Sequence, residues 1–186
     1  MKILGGYLQG RNFYMPKDIR PTPDRLRKSI FDTIGQDLSG LSFLDLFAGS
    51  GAVGLEAVSY RARHAVFVES NSLCAEVIHK NLEILKLTAD ESDAFCEVIN
   101  SDCFFAIKQL HRKGERFNIL FIDPPYRLDL AKKTLKTLEA YDILHPNCLV
   151  IVQHDKREIL PEASGRILRV KEKKHGDSLL TIYKAK

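Results

Sequence analysis

From Ser42 onward the chain alternates between short, nearly continuous apolar runs and longer stretches in which apolar residues recur at helical spacing. The runs near Ser42 to Phe47, Ala65 to Glu69, Glu97 to Asn100, Phe117 to Ile122 and Cys148 to Gln153 predict strands. Their continuity, rather than strict alternation, is what parallel strands covered on both faces display. The stretches between them predict helices; from Ser72 to Leu87, for example, Val77, Ile78, Leu82 and Leu85 fall on one face. Two further strands, near Arg166 to Lys171 and Leu179 to Tyr183, follow each other without a convincing helix between them and are expected to pair antiparallel. Near the N-terminus, Thr22 is expected to cap a helix with Pro23 in its first position, Leu26, Ile30 and Ile34 as its apolar stripe, and Gly35 at its end. The prediction is an α/β fold: a doubly wound, mostly parallel sheet of seven strands with an antiparallel C-terminal hairpin and a short N-terminal extension.

Acids interrupt this pattern at particular places. The run ending Phe121-Ile122 delivers Asp123 to the carboxyl end of its strand, where open α/β sheets bind ligands, and Pro124 and Pro125 then stop the strand. With Tyr126 this gives two hydrogen-bond acceptors, the Asp123 carboxylate and the Pro124 carbonyl, beside one flat ring. That set suits a planar group bearing an exocyclic NH₂. A strand closing in a Pro-Pro turn with a capping Asp is the structural alternative.

Upstream, Phe47-Ala48-Gly49-Ser50-Gly51-Ala52-Val53-Gly54 carries G-x-G-x-x-G between a strand and a helix. The glycines alone are a weak signal. Asp45 sharpens it, because a buried anion beside a phosphate loop gains nothing, whereas a cofactor carrying an ammonium supplies its partner. S-adenosylmethionine fits through its methionine amine. Glu69, followed by Ser70 and Asn71, ends the next strand and is placed to bind two ribose hydroxyls. Asp102, after Ser101, ends the strand after that, within reach of an adenine amino group; it also opens a helical run and so has the alternative role of N-cap.

These motifs resemble class I S-adenosylmethionine-dependent methyltransferases acting on exocyclic amines. Gly6-Tyr7-Leu8-Gln9-Gly10-Arg11 and Arg20-Pro21-Thr22-Pro23-Asp24-Arg25-Leu26-Arg27-Lys28-Ser29-Ile30-Phe31 look like the RsmD-type 16S rRNA guanine-N2 methyltransferases, a likeness that runs from about Gly5 to Ser178. The resemblance implies a Rossmann-like methyltransferase sheet and methyl transfer from S-adenosylmethionine to N2 of a guanine in bacterial 16S rRNA. The expected catalytic set is Asp123, Pro124, Pro125 and Tyr126. The expected cofactor set is Asp45, Phe47, Ala48, Gly49, Ser50, Gly51, Glu69, Ser70, Asn71, Asp102, Cys103 and Asp123. Lys28 stands where the family more often has an Arg-Glu pair, and Tyr126 where Phe is common.

Composition adds the partner. Net charge is only +4 over 186 residues, but the first 28 residues hold Lys2, Arg11, Lys17, Arg20, Arg25, Arg27 and Lys28 against Asp18 and Asp24, interleaved with Tyr7, Phe13 and Tyr14. Cations for phosphates and rings for unpaired bases are the means of reading single-stranded RNA. Together with the resemblance, this makes Arg11, Arg20, Thr22, Arg25, Arg27 and Lys28 the expected RNA contacts, against the alternative of a solvated basic face. The C-terminal cluster Arg166, Arg169, Lys171, Lys173 and Lys174 reads instead as a solvated strand edge. Chemistry thus divides the chain into a basic arm and helix, residues 1–38, and a methyltransferase domain, residues 39–186.

No stretch approaches a membrane span or a signal peptide, so a cytoplasmic protein without membrane association is expected. Cys74, Cys96, Cys103 and Cys148 form no C-x-x-C and read as reduced core thiols, with Cys103 a candidate lining of the adenine pocket; the six histidines show no ligand spacing, and no metal is expected. The resemblance implies 16S rRNA as the partner, in a partly assembled small ribosomal subunit, and a monomer is expected. The alternatives are a methyltransferase for adenine N6 or cytosine N4 of DNA or other RNA, a nicotinamide dehydrogenase, and a nonenzymatic RNA-binding module. The dehydrogenase leaves Asp45 and Asp-Pro-Pro-Tyr unexplained, and the binding module has no need of four acids at strand ends.

Overall fold

The computed structural model describes residues 1–16, 22–88, 92–125 and 129–186. The chain divides into two units, Met1–Ser101 and Asp102–Lys186.

The first unit contains α1 (Asp24–Ile34), β1 (Ser42–Asp45), α2 (Ala52–Ser59), β2 (His64–Glu69), α3 (Ser72–Ile84) and β3 (Phe95–Asn100). Its strands are parallel, with Asp45 opposite Phe67 and Glu69 opposite Asn100. The second contains α4 (Cys103–Arg112), β4 (Phe117–Ile122), α5 (Leu130–Ala140), β5 (Leu144–Asp155), β6 (Ala163–Ser164), β7 (Ile167–His175) and β8 (Ser178–Ala185). There β4 and β5 are parallel, and β5-β8-β7-β6 continue antiparallel. The α/β class and the closing hairpin are as expected; the described residues hold eight strands rather than seven, because two-residue β6 is too short to leave a pattern. Strand β5 starts at Leu144, four residues earlier than expected. Pro146 and Asn147, the latter at φ 65°, are absorbed as a bulge where the register with β4 shifts.

Helix α2 is buried on every side. An amphipathic helix against one sheet would leave a wet face, so something must cover the other side. The N-terminal segment does so. It folds as a hairpin, with Ile3 N–H to Arg11 O and Gly10 N–H to Ile3 O both at 2.9 Å, and lays Ile3, Leu8 and Phe13 among Ala52, Leu55 and Val58. Glu56, within α2, accepts the Leu4 N–H at 2.8 Å and the Gly5 N–H at 3.3 Å, while Ser59 Oγ accepts the Leu8 N–H at 3.0 Å. Residues 1–38 thus pack with residues 39–101 in one unit.

The structure overturns three expectations. Arg27 is 1% exposed and bound to Glu56, Asp24 and the Lys2 carbonyl, so it cannot reach a phosphate. Phe13, 4% exposed, is a core residue with the Arg27 guanidinium 5.9 Å from its ring centroid, and offers no face to a base. Thr22 does not cap α1: Pro23 holds the N-cap position, and no side chain accepts there. Gly35 ends the helix as expected, its N–H bonding to Phe31 O at 3.0 Å.

Candidate active site

In the first unit, Asp45 ends β1 with 1% exposure, and the chain turns through Leu46 to Gly51 into α2. Two glycines have separate reasons. Gly51 caps α2 at φ 80°, a left-handed conformation costly for other residues. A Cβ on Gly54 would lie 2.3 Å from Phe67 Cε1, so this position lets helix approach strand. Phe47 and Gly49 are half-buried, Ala48 and Ser50 buried.

Side chains from the neighbouring elements fix this loop. Glu69, at the end of β2, accepts the Gly49 N–H on Oε2 at 2.7 Å and the Asn71 N–H on Oε1 at 2.8 Å. Each oxygen of a carboxylate has two lone-pair directions, so Glu69 orders the loop and retains acceptor capacity. Asn71 caps α3 through Leu73 N–H at 2.9 Å. Asn100 Nδ2 donates to the Glu69 carbonyl at 2.8 Å and to the Ser70 carbonyl at 3.3 Å, tying the ends of β2 and β3 together.

Asn81 on α3 was missed in the sequence. It is fully buried, and its Nδ2 donates to the Ser50 carbonyl at 3.1 Å. The signal was present: Cys74, Ala75, Ile78, Asn81 and Leu82 form the buried face of α3, and an amide there needs partners.

In the second unit, Asp102 is the N-cap of α4, accepting Phe104 and Phe105 N–H at 3.0 Å each. Its exposed carboxylate keeps acceptor capacity. The Cys103 thiol packs 3.9 Å from Thr134 Oγ1, and burial pushes its pKa up to about 11, making it a neutral core thiol. All four cysteines are free, and burial likewise lifts Cys96 and Cys148 to about 12. Asp123 follows β4 directly and is half-buried, Pro124 is buried and Pro125 exposed. Tyr126 lies outside the described residues.

The basic arm presents less than its composition promised. Arg11, Arg25 and Lys28 are exposed, as are Tyr7 at 52% and Tyr14 at 61%, while Arg20 lies outside the described residues. Arg11 is anchored by a bond from Nη2 to the Ile84 carbonyl at 3.2 Å. Arg61, which the sequence reading did not single out, sits 5.8 Å from the centroid of the Tyr7 ring. Among the described residues no cluster of His, Cys, Asp and Glu could hold a metal ion, and no helix is long and apolar enough to cross a membrane.

Comparison with known proteins gives this arrangement its context. A ribosomal RNA small subunit methyltransferase D of Escherichia coli K12 is 33% identical over 185 residues, covering 98% of this chain and 89% of its own. The solved structure of yhhF from Escherichia coli, also 33% identical, superposes with a TM-score of 0.86 over 100% of this chain and 98% of that one. An RNA methyltransferase from Salinibacter ruber, solved with S-adenosyl-L-homocysteine, shares the fold at 16% identity and a TM-score of 0.66, covering 89% and 94% of the two chains. The family described as Conserved hypothetical protein 95 matches residues 1–184, and the protein belongs to that family.

Proposed function

We propose that this protein transfers a methyl group from S-adenosylmethionine to the exocyclic N2 of a guanine in small-subunit rRNA, acting in the cytoplasm on a partly assembled subunit. The observation that carries the reading is Asp123-Pro124-Pro125 placed directly after β4. The first unit's residues fit the cofactor: a glycine loop shaped for close backbone approach, Glu69 with acceptor capacity for ribose hydroxyls, and the buried acid Asp45 for an ammonium. When bound, S-adenosylmethionine supplies an electrophilic methyl group on a sulfonium.

Guanine N2 is a weak nucleophile because its lone pair is delocalised into the ring. As it attacks, the nitrogen becomes tetrahedral and partly positive. The Asp123 carboxylate and the Pro124 carbonyl, accepting from its two hydrogens, interact more strongly with that developing charge than with the neutral amine, which is what accelerates a reaction. Asp123 then receives the released proton. Tyr126 stacks on the base and aligns N2 with the methyl. Arg11, Arg20, Arg25 and Lys28 hold phosphates, with Tyr7 and Tyr14 as stacking surfaces; Arg27 is excluded by its burial.

The test is incubation with tritiated cofactor and unmodified small-subunit RNA, with and without ribosomal proteins, followed by nucleoside analysis. Labelled N2-methylguanosine is expected. Label on adenine N6 or cytosine N4 would move the reading to the other exocyclic-amine methyltransferases, and absence of label from RNA would overturn it.

A further inference from the structure

Asn81 touches two segments that the proposed function uses for different purposes. Its Oδ1 accepts the Tyr14 N–H at 2.7 Å, and its Nδ2 donates to the Tyr14 carbonyl at 3.0 Å and the Ser50 carbonyl at 3.1 Å. Tyr14 belongs to the arm and Ser50 to the glycine loop. Both N–H donors of one fully buried amide are therefore divided between the arm and the cofactor loop. Arg11 binds the same helix at the Ile84 carbonyl, so α3 is gripped by the arm at two points. On the other side, Ser50 lies between Gly49, held by Glu69 at 2.7 Å, and Gly51, whose N–H bonds Ala48 O at 2.7 Å.

We propose that Asn81 is a positioning residue that couples RNA binding on the arm to cofactor binding in the glycine loop, an inference that rests on the methyltransferase reading of both segments. The physical route is short. RNA held by Tyr14 and Arg11 restrains the Tyr14 peptide, which restrains the Asn81 amide in the rotamer that also satisfies Ser50. A loop already restrained loses less freedom when cofactor binds, and the linkage is reciprocal. A buried amide that only filled the core would stabilise both segments without connecting their ligands.

The experiment titrates S-adenosylhomocysteine into the protein alone and into the protein saturated with an unmodified small-subunit rRNA transcript, for the parent and for Asn81→Asp. That substitution keeps the acceptor for Tyr14 N–H and removes both donors. In the parent, RNA should tighten S-adenosylhomocysteine by about fivefold or more, and the cofactor product should tighten RNA by the same factor. In Asn81→Asp the ratio should fall toward one. A variant that weakens both ligands yet keeps the parental ratio overturns the coupling, as does a parental ratio of one.

Hydrogen exchange on the parent keeps the proposal testable if the variant does not fold. Adding S-adenosylhomocysteine should slow exchange of the Tyr14 amide, which bonds Asn81 rather than the ligand. An unchanged Tyr14 amide in protein that binds S-adenosylhomocysteine removes the coupling alone. A parent that does not bind S-adenosylhomocysteine removes the methyltransferase reading and the coupling with it.

Discussion

Arg27 Nη1 lies 2.6 Å from Glu56 Oε1, and both side chains are 1% exposed. The pair joins α1 to α2, and through Lys2, Leu4 and Gly5 it fastens the N-terminal hairpin to both. Burial nevertheless raises the Glu56 pKa above its ordinary value despite Arg27 and the two backbone donors. Desolvation thus outweighs the attraction, and the pair matters most when it is broken. Replacing Arg27 by Ala leaves a buried carboxylate without its cation and should cost about 3–5 kcal/mol of folding stability. Arg25→Ala, on the exposed face of the same helix, should stay within about 0.5 kcal/mol. Urea unfolding of the two variants checks the contrast; equal stability would mean that Arg27 is a surface cation after all.

Gly54 and Phe67 make a second steric prediction. With a Cβ placed 2.3 Å from Phe67 Cε1, Gly54→Ala should destabilise by roughly 1–3 kcal/mol. Adding Phe67→Leu removes the ring edge and should recover part of that loss. A double variant no more stable than the sum of the two single changes would show that the clash is not with Phe67.

Glu69 links loop order to ligand. Glu69→Ala frees the Gly49 and Asn71 amides and removes the proposed ribose acceptor, so S-adenosylmethionine should bind about 1.5 to 3 kcal/mol more weakly. Calorimetry on the folded variant decides it. An unchanged dissociation constant would reduce Glu69 to a loop brace.

His154, buried on β5, bonds Thr181 Oγ1 through Nε2 at 2.8 Å and the Asp155 carbonyl through Nδ1 at 3.1 Å. Burial holds its pKa below the ordinary 6.5, against the opposite pull of Glu172, Asp155 and Glu158. The unfolded chain takes up this proton near 6.5 while the folded chain resists. The contribution is therefore full above 6.5 and is lost as pH falls from there through the folded-state pKa. Between about pH 7.5 and about pH 5.5 the parent should lose more thermal stability than His154→Gln. Identical slopes would show that His154 does not set this dependence.

The apolar runs carried the order of elements, and single acids in or after them located the strand ends. Asp45, Glu69, Asp102 and Asp123 all stand at or just beyond their strands' ends. The arm was harder to read. Composition marked its cations as surface groups, yet Arg27 lies between Leu26 and Ile30 on a buried face, and Glu56 lies between the apolar residues Leu55 and Ala57 of α2. The reasoning applied to Asp45, that a charge in an apolar run needs a partner, would have paired these two. Asn81 escaped for a different cause: its place on the buried face of α3 says that the amide needs partners, but only the long-range contacts with residues 14 and 50 show what it holds. Strand β6 was illegible because two residues carry no period.

The most direct test of the central claim is a single-turnover methyl transfer to unmodified small-subunit RNA by Asp123→Ala, with S-adenosylhomocysteine affinity measured on the same preparation. Removing one charge-assisted acceptor from the developing ammonium should cost about 2 to 4 kcal/mol, a rate loss of roughly thirtyfold to a thousandfold, while cofactor affinity changes far less. A near-parental rate in Asp123→Ala would contradict the account.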